Sequence, residues 1–252
     1  MNYKLLLDTA VLAGEIMLKS GAETYRVEDT ISRILKTSCL KKTEAFVMPT
    51  GLFATLDDKT IDSLTVIKRI EERETNLNNI YQVNTISRRY CNGEISLEVA
   101  FQELKRMNTK QYNNIMLNIA IILVSASFAL LLGGSWPDAL GAGLSGAVLC
   151  GLIHIGKKLK MNGVIQDLLC SIGCAISAVL ISRFLPIAVD VDMIIIGTIM
   201  PMVPGVAITN AIRDTLQGDY VSGCAKILEA FVKALAIAIG VGVGIAIMGG
   251  IK

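Results

Sequence analysis

Five apolar runs crowd the last 140 residues of this 252-residue chain, and they constrain its fold more than any other feature. They cover about 114–133, 138–155, 164–184, 191–211 and 228–248, each 18–21 residues long. A helix needs roughly 20 residues to cross a hydrocarbon layer about 30 Å thick. The runs leave almost no chain for loops, and buried helices of soluble proteins rarely repeat that length and purity. Five transmembrane helices are the expectation.

Charge divides the chain at the same place. Residues 1–112 carry 16 of the 24 Lys/Arg and 15 of the 22 Asp/Glu. The reading is an α-helical membrane protein in which a small cytoplasmic α+β domain, residues 1–112, precedes a five-helix transmembrane domain, residues 113–252. The composition, 52% hydrophobic and 18% charged, excludes disorder, collagen and a basic nucleic-acid-binding tail. No nucleic-acid partner is expected. The first apolar stretch, Leu5 to Leu18, is broken by Asp8 and Glu15 and does not read as a secretory signal.

The front domain has legible elements. Helical periodicity covers 3–18, and a second helix follows the Gly21-Ala22 break and runs to about Ser38, with Val27, Ile31, Ile34 and Leu35 on one face. Residues 44–56 look extended and are interrupted by Pro49-Thr50-Gly51, which is open between a ligand loop and a strand bulge. A turn at Asp57-Asp58-Lys59 and a second strand, 60–67, predict a hairpin. Helices are predicted at about 76–91 and 96–108, the latter capped by Ser96.

Positive charges alternate from loop to loop. Lys105, Arg106 and Lys110 precede the first run, and the next connection, with Trp136, has no Lys or Arg. Lys157, Lys158 and Lys160 follow the second run, the 183–192 loop is net acidic, and Arg213 and Lys226 precede the last run. The positive-inside rule then predicts a multi-pass inner (plasma) membrane protein with a cytoplasmic N-terminus and its C-terminus outside, in contact with the lipid bilayer.

Within the spans, polar and helix-breaking residues are the candidates for chemistry. Met200-Pro201-Met202-Val203-Pro204-Gly205 interrupts the fourth run. Pro201 falls about 15 Å into it at ~1.5 Å per residue, close to the bilayer midplane. Irregular backbone at that depth lines protein or a watery cavity, and transporters use broken helices to aim half-helix ends at a substrate. A half-helix starting after the break presents free N–H groups suited to a carboxylate. Pro204, Gly205, Thr209 and Asn210 are therefore candidate substrate-binding residues, against the alternative of a simple proline kink. Asn118, in the first run, either lines an entrance or bonds a neighbouring helix. Arg213 and Asp214 read as a cytoplasmic gate or as a solvated interface pair. Asp167, opening the third run, reads as a proton-coupling group or as a helix cap. Glu23, Arg26, Glu28 and Asp29 read as an ion-pair cluster, a regulatory site, a docking face or a solvated helix face. Small residues every four positions, Ala139-Gly143-Ala147-Gly151 and Ala236-Gly240-Gly244, predict close helix packing.

No catalytic constellation, metal-ligand spacing or nucleotide loop occurs, so neither an enzyme nor a cofactor or metal site is expected. The six cysteines have no CxxC or zinc spacing, and Cys170 and Cys174, which share a helical face in an apolar run, read as buried small hydrophobes.

Several stretches together resemble one family. They are Gly21-Ala22-Glu23-Thr24-Tyr25-Arg26-Val27-Glu28-Asp29, Met48-Pro49-Thr50-Gly51 and Val83-Asn84-Thr85-Ile86-Ser87-Arg88. To these add Val203-Pro204-Gly205, Asn210-Ala211-Ile212-Arg213-Asp214 and Gly218-Asp219-Tyr220-Val221-Ser222-Gly223. The chain resembles the N-terminal, YjjP-like component of the threonine/serine exporter family over nearly its whole length. The resemblance implies a secondary transporter that exports small carboxylate metabolites, threonine and serine or a succinate-like dicarboxylate, driven by an ion gradient. It also implies half of a two-component exporter, partnered by a second small membrane subunit of the YjjB type, with a homo-oligomer as the other way to supply the missing surface. The alternative of another class is a membrane-anchored sensor or scaffold whose cytoplasmic domain binds a ligand or partner.

Overall fold

Apolar residues at helical spacing give Tyr3–Lys19 (α1) a buried face of Leu6, Leu7, Ala10, Val11, Met17 and Leu18. In a computed structural model of the chain, which describes residues 1–71, 73–107, 112–184 and 188–249, that face is the centre of the first of two compact units. This unit comprises Met1–Thr109 together with Gly205–Leu228. The second comprises Lys110–Pro204 and Glu229–Lys252.

In the first unit, α1 packs against Thr24–Lys36 (α2) and the middle strand of a three-stranded antiparallel meander. The strands are Lys42–Met48 (β1), Gly51–Asp58 (β2) and Ile61–Arg69 (β3). Alternation turns Val47, Leu52, Ala54 and Leu56 into the core. The other face carries Phe46, Phe53 and Ile67, aligned across the strands by register. Gly14 sets the distance between layers, because a Cβ there would fall 2.5 Å from Ile31 Cδ1 and 3.1 Å from Leu52 Cδ2.

The sheet differs in one detail from the sequence expectation. Pro49 and Thr50 form the two-residue connection between β1 and β2 and do not bulge a single strand. Proline has no N–H to give to a ladder and a fixed φ, so it suits a turn. Leu77–Cys91 (α3) and Leu97–Arg106 (α4) complete this part of the unit, α4 capped by the Ser96 hydroxyl accepting from Val99 N–H at 3.4 Å. The expected helix end at 108 lies outside the described residues, as does Lys110 of the basic segment before the first run.

The second unit contains Asn114–Leu131 (α5), Trp136–Lys158 (α6), Gly163–Phe184 (α7) and Val191–Ile199 (α8). Between them lie small side chains, Ala129, Ala142, Ala175 and Ala178, with Ile194 and Ile195. The large apolar side chains point outward: Ile115, Leu117, Leu123, Leu131, Leu140 and Leu144 are exposed. An inside of small residues and an outside of large apolar ones suits lipid as the surrounding solvent. Buried hydroxyls find partners, as with Ser145 and Ser177 at 2.6 Å. Asp138 caps its own helix through Ser135 N–H at 2.7 Å and accepts Asp190 N–H at 2.6 Å.

After α8 the chain makes a single 3-10 turn, Met200–Met202, then an extended residue, Val203. Its extended conformation follows from the proline behind it, whose ring disfavours a helical neighbour. Gly205–Leu216 (α9) then begins, and after Gly218 at φ +91° the last helix, Tyr220–Gly249 (α10), closes the described chain.

The chain is mostly helical with a small sheet. Among the described residues, four helices, α5, α6, α7 and α10, are long and apolar enough to span a membrane, or up to five spans result if Val191–Met202 and Gly205–Leu216 count as one. The broken fourth run and the 30-residue final helix are what separate this from five uniform rods.

The packing of the second unit uses glycine selectively. On α10, a Cβ at Gly240 would lie 2.5 Å from Leu168 O, and one at Gly244 would lie 2.7 Å from Ala175 Cβ. Both are the positions expected from their spacing. On α6 the tight approaches are at Gly141, Gly146 and Gly156, whereas Gly151 has nothing within 4 Å. The four-residue stripe on that helix thus points partly away from its neighbours.

A charged cleft at the start of α2

Gly21 takes φ +77°, the left-handed conformation that lets the chain leave α1 and start α2 within four residues. Glu23 occupies the N-cap of α2, and its side chain makes no cap bond. The free N–H groups of a helix start need partners from elsewhere.

Asp214 of α9 supplies one. Its Oδ1 accepts Thr24 N–H at 3.0 Å, and its Oδ2 accepts the Thr24 hydroxyl at 3.2 Å and the Lys226 ammonium at 2.6 Å. Lys226 also donates to Ala22 O at 3.3 Å. Asp214 and Lys226 are both buried. The carboxylate sits at the positive end of the α2 dipole, where negative charge is favoured. Asn210, one turn earlier on α9, donates through Nδ2 to Gly21 O at 2.7 Å.

Glu23 turns outward from the cap into a second cluster. Its carboxylate receives Arg213 Nη1 at 2.6 Å and faces Arg26 Nε at 3.2 Å. Burial raises its pKa, but its own backbone N–H, Arg213 and Arg26 together outweigh that and hold the carboxyl below the usual carboxylate range. Glu28, one turn further along α2, goes the other way. Burial pushes its pKa up, the Val47 N–H bond at 2.9 Å opposes this, and the nearby Asp219 and Asp214 charges add to the rise.

Beside the Glu23 cluster lies an open cleft of about 640 Å³. Glu23, Arg26 and Arg213 give it charge, and Asn84, Tyr81, Thr209 and Asn210 give it neutral polar groups. Leu77, Ile80 and Val206 supply apolar wall. The volume lies within the range of small-molecule sites. Such a lining can bind a small anion or zwitterion through guanidinium forks, with apolar surface for the remainder of the ligand.

Of the residues singled out from sequence, Gly205, Thr209, Asn210 and Arg213 come together along this cleft. Thr209 is exposed, and its hydroxyl donates to Gly205 O at 3.0 Å. Asp214 lies just behind, in the buried pair. Pro204 ends the break and belongs to the other unit. Asn118 is exposed on α5, where its carbonyl lies 3.6 Å from Cys150 Sγ. Asp167 on α7 faces Lys233 of α10 at 3.6 Å.

Thr24, Lys226, Tyr81 and Asn84 have no site role legible in the sequence. Lys226 counted only as a loop charge, and nothing in its periodicity marks it as buried. The Gly21–Asp29 and Val83–Arg88 stretches were visible as motifs, and they contribute Glu23, Thr24, Arg26 and Asn84 here.

The model of a protein family described as "Putative threonine/serine exporter" matches residues 8–248, nearly the whole chain. No curated protein and no solved structure matches it.

Proposed function

Because the chain belongs to the threonine/serine exporter family, we propose that it is a secondary-transporter subunit that moves small carboxylate metabolites out across the bacterial inner membrane. The substrates are threonine and serine or a succinate-like dicarboxylate. The N-terminal α+β part is cytoplasmic, the fourth span is the broken pair α8 and α9, and the C-terminus lies outside. The family match across residues 8–248 is the observation that carries this reading.

Two features support it. The fourth apolar run is interrupted by a 3-10 turn and an extended residue, the kind of break that presents half-helix ends to a ligand. Beyond the break, Gly205, Thr209 and Asn210 border a charged cleft with Arg213. In this reading Pro204 and Gly205 let the half-helix move, Thr209 and Asn210 meet the substrate, Arg213 and Asp214 gate it, and Asn118 lines the entrance. Asp167, paired with Lys233, couples transport to an ion gradient. A YjjB-like second subunit, or a further copy of this chain, completes the transport path.

Counterflow in proteoliposomes with labelled threonine, serine and succinate tests the proposal, with and without a YjjB-type partner. Accumulation of at least one substrate is expected. No accumulation of any of the three, in either preparation, overturns it.

A membrane-anchored sensor is the second reading, and one observation favours it. Every residue lining the cleft belongs to the first unit, so a ligand can bind there without a transport step. Binding without counterflow is its signature.

A further inference from the structure

The two arginines of the cleft have unused capacity. Each guanidinium carries five N–H donors in a rigid fork. Among the described residues, the partner of both Arg213 and Arg26 is Glu23. Glu23 is itself buried, 6% exposed at the side chain, while Arg213 and Arg26 are 54% and 39% exposed. Glu23 is therefore fixed in the wall, and both arginines line the cleft with part of their surface exposed and donors to spare.

Among the described lining residues, two arginines and one glutamate carry charge, which leaves a single net positive charge. The buried Asp214–Lys226 pair behind it is neutral as a pair.

We infer that this cleft is a carboxylate-binding site in which Arg213 and Arg26 hold one carboxylate of a small metabolite and Glu23 limits the ligand to a single net negative charge or to a zwitterion. A monoanion neutralises the lining. A dianion leaves one negative charge uncompensated within reach of Glu23, and like charges at short range disfavour each other. For an α-amino acid, the guanidinium forks take the carboxylate, while the negative charge of Glu23 offsets the positive field that the ammonium meets. Tyr81, Asn84 and Thr209 offer neutral hydrogen-bonding groups for a side chain, and Leu77, Ile80 and Val206 offer apolar contact. The choice of metabolites as ligands rests on the exporter reading; the charge selection rests on the lining itself.

The test is calorimetric titration of the full-length protein in nanodiscs with L-threonine, L-threonine amide, succinate and inorganic phosphate. Threonine is expected to bind, and the amide, which lacks the carboxylate, to bind about tenfold more weakly or less. Arg213→Gln is expected to weaken threonine about tenfold. Asn84→Asp adds a negative charge to the lining without touching an ion pair, and is expected to weaken threonine by about the same factor. Glu23→Gln is expected to shift the affinity ratio about tenfold toward succinate. If Arg213→Gln does not fold, judged by its melting curve, the Asn84→Asp comparison decides.

Equal binding of threonine and its amide, unchanged binding in Asn84→Asp, or succinate preferred over threonine by the parent protein overturns the inference. So does the absence of threonine binding, and so does phosphate binding without threonine, which marks a phosphate or lipid-headgroup site. Loss of counterflow with this binding pattern intact overturns the exporter reading and leaves the cleft standing. Counterflow by a protein whose cleft variants bind like the parent overturns the cleft alone.

Discussion

Asp214 meets Lys226 at 2.6 Å with side-chain exposures of 0% and 9%, while the same carboxylate caps the first N–H of α2. A charge on α9 thereby completes a helix that begins 190 positions earlier in the chain. Lys226→Met strands a buried carboxylate and is expected to cost about 3–5 kcal/mol. Asp214→Asn keeps an acceptor for Thr24 N–H but strands the ammonium. The double variant is expected to lose less than the sum of the two. Thermal unfolding in detergent, arranged as a double-mutant cycle, measures the difference. Additive losses show that the two groups are not coupled.

Glu28 and Glu15 are expected to respond to pH with opposite signs. Burial is the leading cause of the raised pKa of Glu28. A raised folded value means that the folded state holds the proton more tightly, so this contribution is complete below the unfolded value, about pH 4.3, and is lost as pH rises through the folded value. Glu28→Gln keeps an acceptor for Val47 N–H and is expected to raise the melting temperature at pH 7, with the gain fading toward about pH 4. For Glu15, burial opposes ionisation, yet Lys19 and Lys68 outweigh it and lower the pKa. Its contribution is present above the unfolded value and is lost as pH falls through the folded one. Glu15→Gln is expected to lower the melting temperature at pH 7 and to converge with the parent in acid. Melting curves across this pH range report both signs.

Three glycines in sequence, Gly240, Gly242 and Gly244, are expected to behave differently. A Cβ at Gly240 or Gly244 meets α7 backbone at 2.5 or 2.8 Å, whereas one at Gly242 meets nothing within 4 Å. Gly240→Ala and Gly244→Ala push α7 and α10 apart and are expected to cost about 1–3 kcal/mol each. Gly242→Ala is expected to be neutral, or to stabilise slightly through helix propensity, by less than about 1 kcal/mol. Unfolding of the detergent-solubilised variants ranks them. Equal effects at all three positions contradict the close approach.

Asp167 faces Lys233 at 3.6 Å. If it couples transport to an ion gradient, Asp167→Asn lowers gradient-driven efflux about tenfold or more while exchange persists, because exchange needs no net ion movement. Paired efflux and counterflow assays on one preparation separate the two. An equal fall in both assigns Asp167 to structure or substrate passage.

Much of the first unit was legible residue by residue. Leu6, Met17, Val27, Ile31 and Ile34 mark α1 and α2 by their spacing, and Ser96 marks the start of α4. Periodicity is local, and these features are local. The Pro201–Pro204 break was legible for the same reason. The cleft was not. Glu23 and Arg213 stand 190 residues apart, and a charge near the end of an apolar run looks the same whether it faces water or a buried partner. Lys226 is the sharpest instance, since a lysine in a connection ordinarily means solvent, and here its ammonium is enclosed by Asp214, Thr24 and Ala22 O.

The sequence by itself determined that the chain has a charged front and a back of membrane-length apolar helices, because hydrophobic run length and charge spacing are set by the order of residues alone. It also determined that the fourth run breaks, because proline removes a donor and fixes φ wherever it stands. Only the tertiary structure decided that Gly205–Leu228 joins the first unit and that Asn210, Arg213 and Asp214 close upon Gly21, Glu23 and Thr24. That pairing depends on satisfying buried charges and free helix-end groups, and the partners that satisfy them are chosen by proximity in space rather than along the chain.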